Sequence, residues 1–228
     1  MIENRLREAS SEAVYPDPTF LDVGGMNNAR YRDVIVFDLS EYTGAGIQKA
    51  VLSLYWYYPE GSTRPQDTVI EVYRPASAWN SNYVSWTKRD KGVAWNNAGG
   101  DWYDKNGVLQ GSTPYATLTL KGSTLPDNRY YELDVTDLVK EYIGGKYENT
   151  GFLIKARTEN DNYIAFYSSK AGDESQKPRI DVTVQTGQPA TEPDVYLIIP
   201  CYSEEDAEAA KARILEIVPE VEIYTKLS

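Results

Sequence analysis

Histidine is absent from the 228 residues, and cysteine occurs once, at Cys201. Without histidine there is no imidazole general base, no Ser-His-Asp triad and no His-ligated zinc or iron. A single cysteine allows neither an internal disulfide nor a cysteine-based metal cluster. No run approaches the roughly 18 apolar residues needed to cross a bilayer. The opening Met1-Ile2-Glu3-Asn4-Arg5 lacks the apolar core of a signal peptide. Basic residues are outnumbered, 23 against 34, for a net charge of −11. That balance argues against nucleic acid, whose phosphates demand basic stripes, and against anionic membrane surfaces. What remains is carboxylate chemistry, oxygen-ligated metals and flat aromatic surface, with 19 tyrosines, 5 tryptophans and 4 phenylalanines. This composition points to a binding or structural domain rather than an enzyme, and no carboxylate spacing identifies a glycosidase pair.

Residues 1–186 read as mainly β. Short alternating runs at 31–39, 47–58, 68–74, 115–120, 129–133, 151–157, 163–168 and 179–185 are separated by Gly, Pro, Asn and Asp. The last has clean period-two alternation, with Ile180, Val182 and Val184 on one face, and should be half-buried. About eight strands at this spacing predict a jelly-roll-like β-sandwich. One helix should start at Thr136 or Asp134, bury Leu138, Val139 and Tyr142, and stop at Gly144-Gly145. Residues 187–193 have linker composition. Beyond them, 194–228 reads as a β-α-β appendage. It has strands at 195–199 and 221–224 and a helix capped by Ser203, with Ala207, Ala210, Ile214 and Ile217 at helical spacing. So small a unit must dock on something.

Between Lys88 and Pro114 lies a long stretch rich in Gly, Asn, Trp and Asp, and loops of this length in compact domains are often functional. Trp95, Trp102 and Tyr103, with Asn96 and Asn97, form the candidate ligand surface. A ring stacks on the C–H face of a sugar while amides and carboxylates bond its hydroxyls. The competing reading is that these rings fold down as hydrophobic plugs. Trp79 and Trp86 are expected in the core. For a calcium ion held by oxygen ligands, Asp101 and Asp104 are the first candidates and Asp161 the second; ordinary Asx-turns are the alternative for all three.

The opening Glu3-Asn4-Arg5-Leu6-Arg7-Glu8 resembles the signature of DNRLRE-type domains, with Glu in place of the first Asp. These include the disaggregatase-related repeats of surface proteins in methanogenic archaea. Phe37-Asp38-Leu39-Ser40 and Leu133-Asp134-Val135-Thr136 are similar to that family's paired signatures. So are the run from Trp79 through Val84 to Trp86, and Tyr167-Ser168-Ser169 followed by Lys177-Pro178-Arg179-Ile180. The matches span about residues 3–184 in order. The resemblance implies a jelly-roll sandwich like those of carbohydrate-binding modules, an extracellular or cell-surface setting, and a non-catalytic module that binds polysaccharide. The alternative is a structural module of a surface layer, sheath or filament, self-associating through the appendage.

Overall fold

The computed structural model describes residues 1–58, 66–122, 129–185 and 203–217. The chain divides into two compact units, Met1–Gln188 and Pro189–Ser228. The first unit is a β-sandwich. Its strands are β1 (Ile2–Arg7), β2 (Phe20–Met26), β3 (Ala29–Val36), β4 (Ile47–Tyr58), β5 (Thr68–Pro75), β6 (Lys88–Asp90) and β7 (Val93–Ala94). After these come β8 (Trp102–Tyr103), β9 (Ala116–Leu120), β10 (Tyr130–Asp134), β11 (Phe152–Ala156), β12 (Ile164–Tyr167) and β13 (Arg179–Val184), with helix α1 (Thr136–Ile143) between β10 and β11.

Sheet 1 runs β1, β3, β11, β5, β9, and sheet 2 places β10 on one side of β4 and β12 and β13 on the other. All these pairs are antiparallel, as hairpin-rich sandwiches require. Strand β2 links the two sheets. Its first half pairs with β12 and its second half with β3, so the chain turns a corner at Gly24-Gly25. A side chain does not fit there: a Cβ on Gly25 would sit 2.3 Å from the Glu159 backbone, and Gly24 has a φ of +103°.

Period-two alternation makes the core. Leu52, Leu54 and Trp56 of β4 meet Ile70 and Val72 of β5 and Phe152 and Ile154 of β11, while α1 contributes Leu138, Val139 and Tyr142. The expected strand at 47–58 and the helix at Thr136 are found, and Gly144 follows the last helical residue. Ile180 and Val182 pack half-buried on the core, whereas Val184, expected on the same half-buried face, is exposed.

Strands β1 and β2 were not legible in the sequence. The signature that opens the chain is a strand built of polar residues, with Glu3, Asn4 and Arg5 all buried. Asn4 accepts from the Arg5 and Tyr15 amides and donates to the Ser81 carbonyl, and Glu3 accepts from the Ser169 amide. Arg5 grips the buried Asp22 through two hydrogen bonds of 2.9 and 2.7 Å. These polar groups hold the edge where the two sheets meet.

In the second unit, α2 (Glu204–Ile217) begins with the Ser203 hydroxyl accepting from the Asp206 amide at 3.1 Å, a helix N-cap. Ala207, Ala210 and Ile214 are half-buried on it. The expected linker, the strands at 195–199 and 221–224, and Cys201 lie outside the described residues, as does the side chain of Ile217.

Candidate functional site

The long segment after β5 folds over the outer face of sheet 1. It closes a second small core in which Trp86, Trp95 and Val84 cover Leu6, Val34 and Leu153, with Trp79 and Trp102 packed at its margin. Two aspartates shape the loop. Asp101, 2% exposed, accepts from the Asn96 amide (2.7 Å), the Asn97 amide and side chain (2.9 and 2.7 Å) and Gln110 (3.2 Å). Asp104 accepts from the amides of Asn106, Val108 and Thr113 at 2.9, 2.9 and 3.2 Å. Burial pulls its pKa up, but these backbone donors outweigh burial and hold it below the usual carboxylate value.

The expected calcium ligands therefore work as turn-formers. A cation at Asp101 or Asp104 has to displace N–H donors already in place. Asp161 stands apart, exposed in the turn after β11, where its φ is +49°. Among the described residues no three acidic, histidine or cysteine side chains are gathered for a metal ion.

The expected ligand residues separate. Trp95, expected on the ligand surface, is 5% exposed: its ring fills the second core and its Nε1–H donates to the Ser85 carbonyl at 3.0 Å. Its apolar surface outweighed its polar neighbours in sequence. Asn96 and Asn97 are exposed, their backbones pinned by Asp101. Trp102 and Tyr103 are half-buried neighbours on β8 and, as successive strand residues, point to opposite sides. Tyr103 lies 4.5 Å from the Arg74 guanidinium, which stacks at 3.8 Å on Tyr147.

Trp102 occupies the more elaborate setting. Its Nε1–H donates to the Gly111 carbonyl at 2.9 Å, and its ring centroid lies 5.4 Å from that of Tyr73. Arg32 and Lys155 approach the ring at 5.4 and 5.7 Å. Arg32 is held in turn by Glu159 through a bidentate pair at 2.6 and 2.8 Å. Glu71 bonds Arg157 (2.7 Å) and the Tyr73 hydroxyl (2.9 Å) and lies 3.9 Å from Lys155. Burial lowers the Lys155 pKa and raises that of Tyr73. None of these charged partners was singled out from the sequence, because they come from β3, β5, β11 and the following turn and meet only across the sheet.

Among the described residues two clefts also open on the sandwich. One, of about 750 Å³, lies by the start of α1 and is lined by Lys49, Lys105, Tyr115, Asp134 and Asp137, with Lys105 and Asp137 paired at 2.5 Å. The other is a groove of about 330 Å³ along Trp79, Asn80, Ser81, Arg89 and Asp90. Trp79, expected in the core with Trp86, is only half-buried, whereas Trp86 is 3% exposed.

Two antiparallel sheets around one core, with a tryptophan-bearing loop laid over one outer face, define a β-sandwich module. The family model described as the disaggregatase related repeat domain matches residues 3–182, and the chain belongs to that family. No curated protein matches the chain.

Proposed function

We propose that this repeat module is a non-catalytic carbohydrate-binding domain of a cell-surface or polysaccharide-degrading protein. The observation that carries the reading is Trp102, an indole half open at the surface with its N–H already bonded and its neighbours locked in ion pairs. A ring fixed in advance stacks on a sugar without first losing rotamer freedom. The exposed side chains of Asn96 and Asn97 lie on the same loop. Replacing Trp102 by Ala should weaken retention on a polysaccharide affinity gel by about 1–3 kcal/mol, the scale measured for aromatic stacking on nucleobases. Unchanged retention by a folded W102A protein would remove Trp102 from the reading.

A second reading, a self-associating module of a layer or filament, has its own support in the half-buried stripe of Ala207, Ala210 and Ile214 on α2. An appended helix with such a stripe has use for a partner surface. Sedimentation at increasing concentration separates the two readings, because glycan binding by itself predicts a monomer throughout.

A further inference from the structure

We propose that the groove along Trp79 is a binding site for a short neutral saccharide, a second contact that rests on the carbohydrate reading but not on Trp102. Its volume, about 330 Å³, is at the small end of ligand sites, roughly 300–1,000 Å³. Its lining combines apolar groups, Ile2, Val36, Ala78 and the Trp79 ring, with the polar Asn80, Ser81, Arg89 and Asp90.

The groove is built rather than incidental. The Trp79 Nε1–H donates to the Thr150 carbonyl at 3.0 Å, which fixes the plane of the indole. Buried Asn4 donates to the Ser81 carbonyl at 2.8 Å, so the opening signature anchors the turn that brings Asn80 and Ser81 to the groove. The Asn80 amide donates to the Arg89 carbonyl at 2.9 Å, and one Arg89 Nη1–H is held by the Ala78 carbonyl at 3.1 Å. The remaining polar capacity is unused. Among the described residues Arg89 has no carboxylate within ion-pair distance, Asp90 accepts only from the Lys91 amide, and Asn80 spends only its oxygen, on the Asn82 amide.

That set of groups selects the ligand's chemistry. A purely apolar ligand would leave the donors and acceptors unpaired in a partly desolvated groove, which costs free energy. An anion suits Arg89 but meets the Asp90 carboxylate, on a chain of net charge −11. A neutral sugar satisfies both the polar and the apolar lining. Its hydroxyls donate to Asp90 and accept from Arg89 and Asn80, and its C–H face covers the indole.

The test is titration of the full chain with gluco-, manno- and galacto-oligosaccharides of two to four units, followed by the indole N–H signals in ¹⁵N–¹H spectra. The Trp79 signal is assigned through a Trp79→Phe variant. The expected result is a saturable shift of that signal, and affinity reduced about tenfold or more in R89A and in D90N, the loss of one charge-assisted hydrogen bond. Neither substitution touches the indole's bond to Thr150, so the melting temperature of each variant checks that it is folded. A shift confined to the Trp102 signal, or full affinity in both variants, would overturn the groove and leave the carbohydrate reading standing. No shift at any indole with any of these sugars would overturn both.

Discussion

Asp33 is a titratable residue enclosed by the fold. It is 1% exposed, and its Oδ1 has no hydrogen-bond partner. It faces Arg5 across the β1–β3 pair, with Asp22 and Glu3 also nearby. Burial foremost, and then the Asp22 carboxylate, push its pKa well above the usual value, against the pull of Arg5 and of the Asp22 amide. A raised folded pKa means that the native state holds a proton which the unfolded chain releases near pH about 3.9. Stability supplied by that proton is complete below the unfolded pKa and is lost as pH rises towards the folded one. Asp33→Asn, which cannot ionise, should flatten the decline in melting temperature as pH rises above about 4. A variant as pH-sensitive as the parent would show that the proton resides elsewhere. Arg5 has the opposite role, because it neutralises the fully buried Asp22. Arg5→Ala leaves that carboxylate buried without its closest cation and should cost about 3–5 kcal/mol in urea unfolding.

Among the elements, β2 and the long loop depend most on single residues. The corner in β2 requires a backbone without side chains, so Gly25→Ala should destabilise the sandwich by about 1–3 kcal/mol, the usual cost of overpacking. A stability within error of the parent would mean that the Glu159 turn yields easily. In the loop, Asp104 accepts three backbone amides that have no other partner in the turn. Asp104→Ala should cost about 1–3 kcal/mol and expose the Val108 and Thr113 amides to hydrogen exchange before the strands open. Because its folded pKa is depressed, the stability Asp104 supplies is present above its unfolded value. It is lost as pH falls through the folded pKa, so the loop should loosen in acid before the rest of the sandwich does.

For the whole molecule, the division at Gln188 makes the sandwich a unit with its own core. A protein ending at residue 188 should keep the parent's melting transition while losing whatever association α2 provides, as read by circular dichroism and sedimentation. Failure of that shorter chain to fold would place part of the sandwich core in the C-terminal unit. The strongly acidic balance, −11 overall, should keep the full chain from retaining DNA at physiological salt.

Periodicity alone was enough for much of this fold. Alternation placed β4, β5 and β13, and the spacing of Leu138, Val139 and Tyr142 before Gly144 placed α1, since these signals are local. The opening strand escaped because its buried residues are polar, and burial of Arg5 is tolerable only beside Asp22, 17 positions away. Trp95 and Trp102 sit in similar local sequence among Gly, Asn and Asp, yet one is core and the other half open. Which ring fills the space over Leu6, Val34 and Leu153 is decided by how the loop closes on sheet 1. Asp101 and Asp104 look like cation ligands in sequence and serve backbone amides in the fold, because an Asx turn and an oxygen cage use the same residues. Composition and order carried the sandwich and the family; the surface open to a ligand follows from contacts between residues far apart in the chain, which only the tertiary structure specifies.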